Sequence, residues 1–142
     1  MTIAAILRGK GTAVVALTGD ATVKEAVALL AERRIGAMPI TDDGAVVGIF
    51  SERDVVYSLS AEGAAVLDRP VAEVMTSPVQ SIAPDQSVIG ALSLMTRRRI
   101  RHLPVVEAGR LVGFVSIGDL VKFRIDQIEA DAAAMRDYIQ LT

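Results

Sequence analysis

The stretch Gly48-Ile-Phe-Ser51-Glu-Arg-Asp54 returns 65 residues later as Gly113-Phe-Val-Ser116-Ile-Gly-Asp119. At this offset, fourteen of the 41 positions that end at Asp54 carry the same residue type in the second half of the chain, without a gap. Self-similarity over such a length indicates a duplicated structural unit. The sequence therefore predicts two similar half-domains related by a pseudo-twofold axis, so that a binding feature in one half has a counterpart in the other.

The composition favours one compact domain that binds neither nucleic acid nor membranes. Of the 142 residues, 51% are hydrophobic, which is ample for a core. Aromatic residues make up only 4% and the formal net charge is −2, so stacking platforms and a basic field are both lacking. Cysteine is absent, which excludes thiolate metal sites. The apolar run 3–7 is too short for a signal peptide, and no run approaches the roughly 18 apolar residues of a membrane span, so we expect a cytoplasmic protein.

Each half is predicted to fold as strand, helix, strand, strand, helix, which is an α/β unit. Short β runs at 13–17 and 79–82 precede the helices. Thr22 and Glu25 form a capping-box pattern at the first helix start, whereas Ser87 caps the second without a carboxylate partner. Acidic or glycine turns then join two strands in each half, and a second helix follows each Ser-x-x-Asp.

A long helix is predicted at the end of the chain, from residue 116 or 119 to about residue 140. Its apolar residues are spaced as in a heptad seam: Val121, Ile125, Ile128, Ala132, Met135 and Ile139. Such a helix packs either on its own domain or on a partner; because about 20 helical residues span roughly 30 Å, we expect the distal part to meet a second subunit. The predicted boundaries are 1–65 for the first repeat, 66–124 for the second and 125–142 for the extension.

The doubled Ser-x-x-Asp has two readings. It is a common capping box, with the hydroxyl and carboxylate satisfying helix amides. A helix start with free amides is also a ready anion site, where the serine could donate to a phosphate and the aspartate could hold the two hydroxyls of a ribose. Its recurrence in register, at Ser51/Asp54 and Ser116/Asp119, favours the second reading.

A cluster of four arginines and the only histidine marks a difference between the halves. Arg101 and His102 stand where the first half has Gly36 and Ala37, and Arg53 lies inside the first Ser-x-x-Asp. The cluster is either a solvated helix end or a set of phosphate ligands, since arginine is a bidentate donor. One histidine and no clustered carboxylates leave no metal site, and no catalytic motif stands in its proper context, so we expect no enzyme.

Taken together, the paired strands, the Pro39 and Pro104 strand starts and the doubled Gly-h-h-Ser-x-x-Asp resemble tandem cystathionine β-synthase (CBS) domains. The resemblance covers about residues 2–124. It implies two repeats packed through their sheets, with two clefts for adenosyl ligands such as AMP, ADP, ATP, NAD(P) or S-adenosylmethionine, and pairing of modules into flat dimers. The positions that match the family's binding residues are Thr18, Met38, Pro39, Ser51, Arg53, Asp54, Ala83, Arg101, His102, Leu103, Pro104, Ser116 and Asp119. Because Gly36 and Ala37 carry no cation, the two sites should be unequal.

Three functions follow from these observations. The first is a regulatory nucleotide sensor that alters its own assembly or a regulated protein partner. The second is a dimerisation module without a ligand, in which Ser-x-x-Asp only caps helices. The third is binding of nucleic acid through the arginine cluster, against which the net charge and the scarce aromatics argue.

Overall fold

The computed structural model describes residues 1–11 and 13–141, which form a mixed α/β fold with a long C-terminal helix, as the sequence predicts. The elements in chain order are α1 (Ile3–Lys10), β1 (Leu17–Thr18), α2 (Val23–Arg33), β2 (Ala37–Asp42), β3 (Ala45–Ser51), α3 (Glu52–Glu62), α4 (Val88–Arg98), β4 (His102–Glu107), β5 (Arg110–Ser116) and α5 (Ile117–Leu141). Two 3₁₀ segments, Gly63–Asp68 and Val71–Glu73, connect the halves. Among the described residues, no helix is long and apolar enough to cross a membrane.

Each half contains a small sheet built on a tight hairpin. β2 pairs antiparallel with β3, and β4 pairs antiparallel with β5. Both turns carry two consecutive residues with positive φ, Asp43 and Gly44 in the first and Ala108 and Gly109 in the second. Such turns match the twist of the strands that they join. β1 extends the first sheet as a parallel edge strand, in the order β1-β2-β3.

The first strand of each half is shorter than the sequence predicts. Within 13–17 only Leu17 pairs with β2, and within 79–82 only Ile82 forms a bridge, which is parallel to Val105. Val14 and Val15 instead line a cleft. These apolar side chains therefore form part of a cavity wall and do not belong to a sheet.

The predicted helix starts are confirmed. Thr22 Oγ1 accepts the Glu25 N–H at 3.1 Å, and the Thr22 N–H donates to Glu25 Oε2 at 3.3 Å, which completes the capping box of α2. Ser87 Oγ accepts the Gly90 N–H at 2.9 Å at the start of α4, where glycine offers no carboxylate in return. The two homologous helices thus begin at equivalent positions, with one cap stronger than the other.

Each half has its own apolar core, and α1 belongs to the core of the second. Although α1 begins the chain, Ile3, Ile6 and Leu7 pack among buried residues of α4, β4, β5 and α5. The backbone is tied to the same place, because the Ile3 N–H donates to the Gln86 carbonyl at 2.9 Å. In the core of the first half, Val66 and Val71 of the two 3₁₀ segments take the place that α1 has in the second.

Helix α5 is 25 residues long and extends past the second core. Among its residues only Leu120 is buried. The large residues of the predicted heptad seam are exposed, from 42% at Val121 to 63% at Ile139. The boundaries proposed for the repeats, 1–65 and 66–124, and for the extension, 125–142, stay predictions.

Candidate functional site

The end of β5 and the start of α5 place Ser116 beside Asp119. The Asp119 N–H donates to Ser116 Oγ at 3.1 Å, and the Ser116 N–H donates to Asp119 Oδ2 at 2.8 Å. These two bonds form a capping box and hold the carboxylate in one orientation at the end of the strand. The Asp119 side chain is still 29% exposed, so a ligand can reach it.

Lys10, the last residue of α1, is bound to the same carboxylate. Its Nζ lies 2.6 Å from Asp119 Oδ2 and donates a second hydrogen bond to the Phe114 carbonyl at 2.7 Å. Burial would raise the pKa of Asp119, but the hydrogen bonds from Lys10 and Ser116 outweigh it and hold the pKa below its ordinary value. Asp119 is therefore charged at neutral pH.

Asp119 and Lys10 line a cleft of about 360 Å³. Its walls come from the segment before β1, the turn after α2, and the strands and helix start of the second half. The lining comprises Lys10, Ala13, Val14, Val15, Arg34, Ile35, Gly36, Ala37, His102, Phe114, Ser116 and Asp119. Mostly apolar walls with a few polar groups at defined places are typical of small-molecule sites.

His102 forms part of the wall as a half-buried ring. It is stacked on Phe114, with the ring centroids 5.6 Å apart and the planes 12° from parallel. Burial lowers the pKa of His102; Lys10 and Arg101 act in the same direction, while Asp119 and Glu52 oppose them. The imidazole is therefore neutral at pH 7, and the wall beside Asp119 is a flat aromatic surface.

The homologous residues of the first half have different neighbours. The Ser51 N–H donates to Asp54 Oδ2 at 2.9 Å, as in the second half. The other carboxylate oxygen, Oδ1, accepts the Thr76 hydroxyl at 2.8 Å. Asp54 is thus held by uncharged donors, and it lines a separate depression of about 270 Å³ together with Tyr57, Ser58, Glu62, Arg69, Glu73 and Val74.

Three of the predicted site residues line the 360 Å³ cleft: His102, Ser116 and Asp119. The others lie elsewhere in the described chain. Met38, Pro39, Leu103 and Pro104 are buried in the strands, whereas Thr18, Arg53, Ala83 and Arg101 are exposed. The Thr18 hydroxyl donates to Asp20. Within the described residues there is no cluster of three or more His, Cys, Asp or Glu side chains that could hold a metal ion.

Sequence reasoning missed Lys10, Arg34 and Phe114 as cleft residues. A signal for one wall did exist, because the turn 34–37 is homologous to the segment that contains Arg101 and His102. The pseudo-twofold relation predicts that these two homologous segments lie close to each other at one cleft. The Gly36 Cα indeed faces the His102 ring. No comparable signal pointed to Lys10.

The sequence matches the CBS domain family over residues 11–61 and 71–126. It is 33% identical over 122 residues to the CBS domain-containing protein YhcV of Bacillus subtilis, and the match covers 86% of each chain. The fold is similar to the CBS-domain protein ATU1752 of Agrobacterium tumefaciens, with a TM-score of 0.83, 41% identity and coverage of 87% of this chain and 99% of that one.

A second structural neighbour was solved with ligands. The CBS domain pair of protein MJ0100, in complex with 5′-methylthioadenosine and S-adenosyl-L-methionine, has a TM-score of 0.76 and is 25% identical. The comparison covers 87% of this chain and 98% of that one. Both of its ligands contain an adenosine group.

Proposed function

Because this chain belongs to the CBS domain family, we propose that it is a regulatory module, without catalysis of its own, that binds an adenosine ligand in the cleft beside Asp119. The observation that carries the proposal is a charged, partly exposed carboxylate, fixed by Ser116 at the edge of a cleft of about 360 Å³. A carboxylate with two oxygens can accept both hydroxyls of a ribose. The adenosine ligands bound to the MJ0100 domain pair support the same class.

Each wall of the cleft has a part in this proposal. Asp119 holds the ribose, and Ser116 donates to the ribose or a phosphate. The stacked His102 and Phe114 rings offer an apolar surface to the base. The ligand that we expect is AMP, ADP or ATP, with NAD(P) and S-adenosylmethionine as the other candidates.

A second site would follow from the pseudo-twofold axis. Gly36, Ser116 and Asp119 line the first cleft, and their homologues are Arg101, Ser51 and Asp54. We propose that these homologues, with Arg53, the strand residues Thr18, Met38, Pro39, Leu103 and Pro104, and Ala83 next to the bridge residue Ile82, form or support this second, weaker site. The Thr76 hydroxyl on Asp54 would compete with a ribose there.

Differential scanning fluorimetry against AMP, ADP, ATP, NAD, NADP, S-adenosylmethionine and GTP tests the main proposal. A ligand that binds only the folded chain raises its melting temperature with dose. We expect a shift with adenine compounds that is lost in Asp119→Asn. Asp126→Asn is the matched control, because Asp126 is exposed on the same helix outside the cleft. A wild type that no adenine compound stabilises would contradict the proposal.

A ligand-free dimerisation module is the second candidate, and the exposed seam of α5 favours it. Ile125, Ile128 and Met135 are 48%, 51% and 60% exposed in the single chain. We propose that these residues pair with a second copy whether or not a ligand is bound. In the first candidate, by contrast, ligand binding would act by favouring one arrangement of such a cytoplasmic dimer, or of its complex with a regulated protein, through differential affinity.

A further inference from the structure

We propose that Lys10 selects ligands that carry a phosphate, because a bound ribose displaces its ammonium group from Asp119 and a phosphate gives it a new partner. This inference rests on the proposed binding of an adenosine ligand in the Asp119 cleft. It adds to that proposal a specificity-determining residue and the chemical class of the group attached to the adenosine.

The first step is competition for one oxygen. Asp119 Oδ2 already accepts hydrogen bonds from the Ser116 N–H at 2.8 Å and from Lys10 Nζ at 2.6 Å. A ribose held through both hydroxyls needs both carboxylate oxygens. Since the Ser116 amide is fixed in the backbone and the Lys10 side chain is 38% exposed, Lys10 is the donor that moves away.

The second step concerns the displaced ammonium. It keeps the Phe114 carbonyl at 2.7 Å as a partner but loses its only ion-pair partner among the described residues. A half-exposed cation without a counter-charge is unfavourable in a partly desolvated cleft. An uncharged ligand such as 5′-methylthioadenosine leaves it in that state, and the net positive S-adenosylmethionine makes the repulsion worse.

A phosphate on the ligand gives the displaced Lys10 ammonium group a new counter-charge. The ammonium group has three donors, of which the described residues use two, so it can bind a phosphate oxygen while it retains the Phe114 carbonyl. Arg34 lines the same cleft and adds a second cation, while Asp119 is the one carboxylate of the lining. Lysine and arginine are the side chains that bind phosphate in proteins.

The lysine–aspartate pair that we propose to select phosphate is present at only one of the two Ser-x-x-Asp sites in the described residues. The segments that precede the two repeats correspond at an offset of 68 residues, because Leu7 packs on Gly113 as Met75 packs on Gly48. The counterpart of Lys10 is therefore Pro78, which carries no charge. The homologous carboxylate, Asp54, accepts the Thr76 hydroxyl, which is uncharged. The selection for phosphate is therefore a property of the Asp119 cleft and of α1, and it does not follow from the Ser-x-x-Asp motif that both halves share.

Isothermal titration calorimetry of the full chain with AMP and with 5′-methylthioadenosine tests the inference. Since a charge-assisted hydrogen bond is involved, we expect the wild type to prefer AMP by about tenfold or more. Lys10→Met should bind AMP more weakly and 5′-methylthioadenosine more tightly, because Asp119 is then free of its competitor. Arg8→Met removes the same charge from an exposed position of α1 outside the cleft and should keep the wild-type preference.

Lys10→Met is expected to weaken AMP binding and to strengthen 5′-methylthioadenosine binding. A purely structural role of Lys10 would instead change both affinities in the same direction. If Lys10→Met weakens both ligands by one common factor, or leaves their ratio unchanged, the inference is wrong and the proposed function stands. If neither ligand binds the wild type, the inference is wrong; the proposed function is wrong as well when the other adenine compounds also leave the melting temperature unchanged. Lys10→Gln gives the same readout should the methionine variant fold poorly, and Lys10→Arg should restore the preference for AMP.

Discussion

The Cα of Gly113 in β5 faces the Leu7 side chain of α1 so closely that a Cβ at this position would lie 2.6 Å from Leu7 Cδ2. Leu7 is itself buried in the core of the second half, so it has little room to retreat. The homologous Gly48 is approached in the same way by the Met75 side chain. The glycine that precedes each Ser-x-x-Asp is therefore explained by an element that packs on the strand.

We expect Gly113→Ala to destabilise the protein by about 1–3 kcal/mol, as overpacking of a core typically does. Urea denaturation measures the free energy of unfolding. Gly118→Ala is the control, because its Cβ would meet Ser116 Oγ at an ordinary 3.6 Å within a helix, where alanine is preferred to glycine. Equal effects of the two substitutions would show that contact with Leu7 is not the cause.

The two aspartates of the repeat should contribute unequally to ligand binding. Asp119→Asn is expected to weaken AMP binding by about tenfold or more, because it removes a charged acceptor. Asp54→Asn should have a smaller effect, since the Thr76 hydroxyl already occupies Asp54 Oδ1. Calorimetry on both variants measures the affinities and the number of sites, and a larger loss in Asp54→Asn would show that the ligand prefers the first half.

Burial of His102 predicts a loss of stability in mild acid. Its pKa in the folded state is below the ordinary value of 6.5, so at a pH well above 6.5 the ring is neutral in both states and its burial costs no stability through protonation. As the pH falls below 6.5, the unfolded chain takes up the proton first, and the free energy of unfolding decreases until the folded-state pKa is passed.

The histidine is the only one in the chain, so its contribution can be isolated. The difference in unfolding free energy between wild type and His102→Gln should shrink as the pH falls from 7 through this window. The lowered pKa of Asp119 affects stability in a different pH range. The charged Asp119 stabilises the folded state above pH 3.8, and this contribution is lost as the pH falls below that value. A difference that stays constant between pH 7 and 5 would contradict the burial of the imidazole.

Truncation after Arg124 should weaken self-association, because it removes most of the exposed seam of α5. Analytical ultracentrifugation at low micromolar concentration compares the truncated chain with the full one. The exposed residues Asp126 and Asp137 lie on the same helix on the side away from the apolar seam, so their replacement by alanine serves as a control that should leave the dimer intact. A truncated chain that remains fully dimeric would place the contact elsewhere.

What the sequence predicted well is local. Thr22, Ser87 and Ser116 cap helices within three residues of themselves, and such contacts depend on spacing alone. Because the two halves are related by a fixed offset, a helix start that was predicted in one half was also predicted at the equivalent position in the other. Reading 13–17 as a full strand was wrong, because apolar residues beside a cavity have the same composition as those in a sheet.

What the sequence could not predict is the contact between Lys10 and Asp119, which are 109 positions apart. The repeat does not indicate this contact, because the counterpart of Lys10 in the segment before the second repeat is Pro78, which carries no charge. The cleft is assembled from four separate segments of the chain, and only packing of the two halves brings them together.

The placement of α1 also sets an order of events during synthesis. An isolated helix of eight residues is marginal in water, so α1 leaves the ribosome without a stable structure of its own. Its backbone partner Gln86 and the apolar residues around it are made only after the whole first half has emerged. The first half can therefore fold early around its own core, whereas the second half can complete its core only when α1, which is synthesised before the first half, packs against it.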